Sequence, residues 1–343
     1  MAERFLLVGN PTAQSGKNKE RIATAIAALR DRGAHVELLP TEPDGRTVGA
    51  VTRALDAGRA EVVIAMGGDG TFREVATGLV GSARRESVAM GMLPTGTAND
   101  QGKSFGLDAA PSALRDNVEA ILAGHETRLD AGVITARGER LLFFDSAGWG
   151  LMARVLAQRN RDRRVVEGLG PLKVLYRDHA VYVGAFVKTF LESYVVEDHF
   201  RVSAVLDGKR HELDHVTDLV LKNTRVYAGS WVLDPTARHD DGALEFVPFR
   251  GKRDWASKTL IDLEGGPLAA AGITEAKLNE IGLEHSKPIR FSRAEISIAM
   301  PEGGAENAFQ VDGEEVAACD RAIVEVLPRV VRLLVPRAFA RDA

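Results

Sequence analysis

An α/β N-terminal domain on a mostly parallel sheet, followed by a larger antiparallel β-sandwich with a helical insert, is the fold class the sequence predicts. Three observations predict it. Over roughly the first 125 residues, short apolar runs alternate with helical patterns, the rhythm of a parallel sheet flanked by helices. From about Arg128 strand follows strand, with turn signals at Asp207-Gly208 and Asp312-Gly313. Between them, about 151–193 reads as helix.

In the first domain Phe5 to Val8 reads as a strand, Lys17 to Arg32 as a helix with Ile22, Ile26 and Leu29 on one face, and His35 to Leu39 as a second strand. Val48 to Ala57 (helix), Glu61 to Met66 (strand), Thr71 to Val80 (helix), Val88 to Leu93 (strand) and Ala113 to Ala123 (helix) continue the alternation. Ligands of such sheets sit at the carboxyl ends of the strands. The second half offers the strands LDAGVITA, RLLFFDSAGWG, FRVSAVLDGKRHEL, TDLVLKNT, GALEFVPF, PIRFSRAEISIAM and NAFQVDGEEV, with a further helical stretch from Trp255 to Leu263. The closing RVVRLLVPRAF reads as a strand returning to the first domain. The expected domains are 1–127, joined by 329–343, and 128–328.

The 343 residues are 45% hydrophobic and 27% charged, the balance of a folded globular chain. A net charge of −4 provides no global basic field, which argues against a nucleic-acid partner. The single Cys319 allows no intrachain disulfide and fits a reducing cytoplasm, as a small apolar residue. The opening MAERFLLVGNP is too short in apolar residues for a signal peptide, and the longest apolar run, Ala180 to Val187, is well below the roughly 20 residues a spanning helix needs. Contact with a membrane is therefore expected from one side. RVLAQRNRDRR, Arg154 to Arg164, has five arginines against one aspartate and precedes Tyr176, Tyr182, Phe186 and Phe190. It reads either as a docking segment for anionic lipid or as a solvated helix face. The eight His residues show no metal-ligand spacing, and His211 and His215 fall in a strand pattern.

MGGDGTFREV, Met66 to Val75, follows a strand and opens a helix, where backbone N–H groups converge on an anion. Gly67, Gly68 and Gly70 permit positive φ and close approach of a phosphate, and Thr71 with Glu74 has the spacing of a capping box. It is not a Walker A loop, since no Lys-Ser/Thr pair follows. Asp69 fits a phosphate site if it holds Mg²⁺; the plain alternative is an Asp-Gly turn. LPTGTANDQGKSFGL, Leu93 to Leu107, also follows a strand, with Asn99 or Asp100 available to cap the next helical turn. Two such loops after neighbouring strands point to a two-sided nucleotide cleft.

NPTAQSGK at 10–17, GGDGTFREV at 67–75, LPTGTAND at 93–100, LDPTARHDDGALE at 233–245 and VDGEE at 311–315, in this order, resemble the diacylglycerol kinase catalytic-domain family, which includes bacterial lipid kinases and sphingosine kinases. GGDGT alone is shared with NAD kinases and phosphofructokinases. The resemblance implies ATP and Mg²⁺ as cofactors and a membrane lipid as substrate, with diacylglycerol the favoured acceptor. It implies that Asn10 and Thr41 line the nucleotide cleft, that Gly67, Gly68, Asp69, Gly70 and Thr71 hold the phosphates, and that Thr97, Asn99 and Asp100 form the second nucleotide loop. Glu314 falls on the proposed general base, with Asp69 beside it in the catalytic set, although Asp312-Gly313-Glu314 also reads as a hairpin turn. RHDDGAL resembles a structural metal loop with Asp241 as carboxylate ligand and the carbonyls of Arg238 and Ala243, and reads equally as an Asp-Gly turn. Arg73 stands where many members have Asn, and QGKSFGL replaces a more usual aromatic, Ala and Arg. The competing readings are a kinase for a sphingoid base, another lipid or NAD, and a non-catalytic lipid- or nucleotide-binding module. Monomer and homodimer both fit.

Overall fold

The computed structural model describes residues 3–167, 199–228, 231–234, 236–251, 254, 287–304 and 307–342. Tyr176, Tyr182, Phe186 and Phe190, the run Ala180 to Val187 and the stretch Trp255 to Leu263 lie outside them. The chain divides into two compact units, Met1–Ala131 with His239–Gly242 and Leu327–Ala343, and Gly132–Arg238 with Ala243–Val326.

In the first unit the strands β1 (Arg4–Gly9), β2 (His35–Pro40), β3 (Val62–Gly67) and β4 (Ala89–Pro94) form a parallel sheet in the order β2-β1-β3-β4. Leu333 of the long β17 (Arg321–Leu334) pairs in parallel with Met90 of β4. β3 and β4 are apolar on both faces because helices cover both sides. The helices are α1 (Lys17–Asp31), α2 (Arg46–Asp56), α3 (Asp69–Gly81), α4 (Asp100–Ser104), α5 (Leu114–Leu122) and the terminal α7 (Arg337–Asp342). Phe5, Ile22, Leu29, Ile64, Met66 and Ile121 belong to the core they share with the sheet. The register sets Gly9 beside both Pro40 and Met66, and Gly67 beside Pro94, so the loops after all four strands leave from one edge.

The second unit is antiparallel and β-rich. β5 (Glu126–Ala136) enters it and pairs with β6 (Glu139–Phe143). RLLFFDSAGWG breaks at Phe144-Asp145, giving β6 and β7 (Ser146–Gly150). α6 (Leu151–Glu167) follows; Leu151 and Met152 join a cluster with Val220, Tyr227, Val247 and Phe249. The run Arg154 to Arg164 falls on this helix.

β8 (Phe200–Leu206) turns at Asp207-Gly208, both at positive φ, into β9 (Lys209–Lys222). Two expected strands, FRVSAVLDGKRHEL and TDLVLKNT, thus merge, because a register shift near His215 bends one long strand instead of ending it. β9 pairs with β8 through its first half and with β7 and β12 (Leu244–Arg250) through its second. β10 (Val226–Tyr227) and β11 (Trp231–Val232) form a separate short hairpin. β13 (Ile289–Phe291) pairs with β12, while β14 (Arg293–Ala299) lies between β8 and the first part of β17. β15 (Phe309–Val311) pairs with β7 and turns into β16 (Glu314–Val316). Trp149 stacks on Phe309 at 4.6 Å in the core, and Cys319 is buried there.

Candidate functional site

The first unit brings two glycine loops into backbone contact. A Cβ on Gly96 would stand 2.5 Å from Gly68 Cα, and one on Gly67 would stand 2.3 Å from Thr71 Oγ1, so these positions have no room for a side chain. The reason for glycine is close approach. The expected positive φ is not adopted: Gly67, Gly68 and Gly70 are absent from the residues with positive φ. Thr95 N–H donates to Gly67 O at 2.8 Å and completes the join.

The expected capping box is not formed. α3 begins at Asp69, two residues before Thr71, with Phe72 N–H bonded to Gly68 O and no side-chain cap on Gly68. Thr71 and Glu74 therefore lie inside the helix, and the start is set by the backbone of the loop. Arg73, in the second turn of α3, is partly buried.

Asp69 has a structural partner. Its Oδ1 accepts the backbone N–H of Gln101 at 3.1 Å, so a carboxylate from the first loop caps the short α4 that follows the second. Asn99, at the N-cap position of α4 and in left-handed conformation, makes no side-chain cap bond. It turns back instead: Gly96 N–H donates to Asn99 Oδ1 at 2.8 Å and Asn99 Nδ2 donates to Gly96 O at 2.8 Å. This ring fixes the GTAND loop. Asp100 is buried and Thr97 exposed.

Asn10 and Thr41 follow β1 and β2 on the same edge of the sheet. Asn10 Oδ1 accepts both the N–H and the hydroxyl of Thr12, closing an Asx turn, and Thr41 N–H donates to Gly9 O. Between the Gly67 loop and α4 lies a small cleft.

Among the described residues, no group of three or more His, Cys, Asp or Glu side chains is gathered as a metal cage. A Mg²⁺ that keeps phosphate oxygens and water in its shell takes only one or two carboxylates from protein. Asp69 lines the cleft, and Asp100 is buried at the start of α4.

In the segment 238–243, Arg238 and Asp241 are exposed and Ala243 is buried; Asp241 belongs to the first unit, the other two to the second. Within the first unit the loop is tied by Asp130, a fully buried carboxylate in β5. Asp130 Oδ2 accepts Gly242 N–H at 2.7 Å, Oδ1 accepts Arg329 N–H at 2.5 Å, and Asp130 N–H donates to His239 O. Burial raises the Asp130 pKa; the two N–H donors work against that, and the nearby Asp241 and Asp240 add to it. His239 contacts the hydroxyl of Thr127 and the rings of Phe105 and Phe339. Protein groups thus account for the loop conformation.

Glu314 is exposed and opens β16, directly after the Asp312-Gly313 turn. Both turn residues have positive φ, 47° and 74°, the two-residue hairpin that Asp-Gly favours. Asp312 is buried, and its Oδ1 accepts the N–H groups of Phe144, Asp145 and Ser146 at 3.2, 2.8 and 3.0 Å. On the other side of that turn Asp145 pairs with the buried Lys222 and accepts from Thr224 Oγ1, while Asn223 Nδ2 donates to Phe144 O. Glu314 therefore stands on a hairpin whose base is rigid. Asp130, Asp145 and Lys222 were missed by the motif reading and Asp312 was read only as a turn residue, though each is a charge beside or inside an apolar strand pattern, which is itself a signal of a buried partner.

No helix among the described residues is long and apolar enough to cross a membrane. The family model for the diacylglycerol kinase catalytic domain matches residues 4–134. A Klebsiella pneumoniae protein named probable lipid kinase YegS-like is 34% identical over 331 residues, covering 94% of this chain and 93% of that protein. Its Pseudomonas aeruginosa namesake is 31% identical over 247 residues, 72% and 73% of the two chains. A crystal structure of a diacylglycerol kinase from Bacillus anthracis aligns with a TM-score of 0.67 at 20% identity over 98% of both chains, a likeness of fold alone.

Proposed function

The chain belongs to the diacylglycerol kinase catalytic-domain family, and we propose that it transfers the γ-phosphoryl group of ATP to the hydroxyl of a membrane lipid, with diacylglycerol as acceptor and phosphatidic acid as product. The observation that carries this reading is the contact of Gly68 with Gly96, which joins two loops at the carboxyl ends of adjacent parallel strands. Such loops present backbone donors to phosphate oxygens without side chains in the way.

In this reading the loops Gly67 to Thr71 and Thr97 to Asp100 receive the phosphates, and Asn10 and Thr41 line the same edge for the rest of the nucleotide. Asn99 acts through the loop it closes. Asp69 would hold Mg²⁺, which when bound would neutralise charge on the phosphates. Glu314 accepts the proton of the lipid hydroxyl as that oxygen bonds to the γ-phosphorus and the bond to the bridging oxygen breaks, releasing ADP. The protein works as a cytoplasmic, peripherally bound enzyme that takes its acceptor from one side of the membrane.

The test is phosphorylation of a total lipid extract with labelled ATP, followed by identification of the labelled product, with Glu314→Ala in parallel. Label in the phosphatidic acid fraction supports the reading, and label in a sphingoid base, or in NAD supplied in a parallel reaction, reassigns the acceptor. Glu314→Ala should bind ADP normally and transfer no phosphate; full turnover in that variant would remove Glu314 from the mechanism.

A further inference from the structure

The Gln101 side chain is 2% exposed, and neither Nε2 nor Oε1 has a hydrogen-bond partner among the described residues. Its backbone is engaged at both ends: the N–H donates to Asp69 Oδ1 and the carbonyl accepts from Phe105 N–H. An amide that has lost water and gained no partner is unfavourable, and folded proteins keep few of them. Those that persist at a cleft are completed by what enters it.

Gln101 lines the cleft together with Gly67, Gly68, Asp69 and Asn99, over an apolar floor that includes Phe72 and Met92. An apolar occupant would leave the amide as it stands. A bare cation would use only Oε1 and leave the Nε2 hydrogens without an acceptor. A phosphate oxygen accepts from Nε2, and water around the phosphate donates to Oε1, so both ends are used. The Asp69 charge would be offset by the Mg²⁺ of the reading above, and its Oδ1 faces the Gln101 N–H at the start of α4.

We infer that Gln101 is a phosphate-contacting residue, its Nε2 donating to a phosphate oxygen seated at Gly67 to Asp69. The inference rests on the nucleotide reading above and names the side chain that anchors one phosphate. The glycine loops supply backbone donors of fixed direction, and Gln101 adds a side-chain donor.

The test uses the full chain as wild type, Gln101→Leu and Gln101→Glu. Each is titrated with ADP, pyrophosphate and adenosine by calorimetry, and its thermal unfolding is recorded without ligand. Leu has similar length and no polar atoms, so it should raise the ligand-free unfolding temperature and weaken ADP and pyrophosphate about tenfold, the worth of one hydrogen bond to a charged group. Glu should weaken both further by repulsion. Adenosine should respond to neither change. Unchanged ADP and pyrophosphate affinity in Gln101→Leu would overturn the proposal. Equal weakening of ADP and adenosine would also overturn it, by placing the contact on the nucleoside. Wild-type protein that binds pyrophosphate but not ADP, with pyrophosphate lost in Gln101→Leu, would sink the nucleotide reading and support the phosphate contact. Wild-type protein that binds neither would overturn both.

Discussion

Replacing Asp312 by alanine removes the acceptor for three backbone N–H groups at once, and the structure allows the cost to be worked. Asp312 Oδ1 takes Phe144, Asp145 and Ser146, all in a buried turn, and Oδ2 takes Phe144 a second time at 3.0 Å. A buried donor left without a partner costs about 1–3 kcal/mol. The low end applies, because water can follow the shortened side chain into the hairpin, giving about 3 kcal/mol for the three. Alanine at φ 47° adds about 1 kcal/mol, since the left-handed region suits Asp, Asn and Gly better. We expect Asp312→Ala to lose about 4 kcal/mol in urea unfolding followed by circular dichroism. Asp312→Asn is the control: it keeps Oδ1 and tolerates the φ, losing only the charge and the second contact to Phe144, about 1–2 kcal/mol. Turnover should fall in Asp312→Ala, because the hairpin carries Glu314, while ADP affinity, a property of the first unit, should hold. Equal losses in the two variants, or a loss under about 1 kcal/mol for alanine, would refute the reasoning.

Gly96→Ala places a Cβ 2.5 Å from Gly68 Cα and 2.9 Å from Asn99 Oδ1, and none of these atoms can yield cheaply. Overpacking of this kind costs about 1–3 kcal/mol, and calorimetry should show ADP binding weakened at least about tenfold. Asp130 has its pKa raised above the unfolded value, so its favourable contribution is complete below the ordinary carboxylate pKa of about 3.9 and is lost as pH rises through the folded value. The stability of wild type relative to Asp130→Asn should therefore increase as pH falls from 7 to 4 in denaturant titrations; a flat or opposite trend would show that burial is not the governing cause. Removal of divalent cations with a chelator should abolish phosphate transfer and leave the circular dichroism spectrum of the ligand-free protein unchanged, a result at odds with any cation that holds the fold.

The elements of the first unit were legible because their signals are local. Periods of two and 3.6 residues, read over Phe5 to Ala123, place β1 to β4 and α1, α2, α3 and α5 within a few residues of their observed ends. The Asp207 and Asp312 turns were legible for the same reason, since an Asp-Gly pair states its own backbone preference. The Thr71–Glu74 capping box misled because that spacing recurs inside helices, and the true start was decided by a carbonyl on Gly68. TDLVLKNT was separated from FRVSAVLDGKRHEL because a bulge leaves no pattern that distinguishes it from a strand end.

The sequence by itself determined which segments are strands and helices, that the first sheet is parallel, and that two glycine loops follow neighbouring strands. It also carried the order of motifs that places the chain in its family. What tertiary structure decided is who meets whom. Asp69 caps a helix 32 residues on, Asp130 holds a loop 112 residues on, and Asp312 reaches back 168 residues to Phe144. The physical reason is that a carboxylate's partner is any N–H the fold brings within hydrogen-bond reach, and chain distance does not enter that condition. So the question of why a carboxylate sits among the glycines at 67–70 has an answer that no local pattern contains: Asp69 ties one glycine loop to the helix that follows the other.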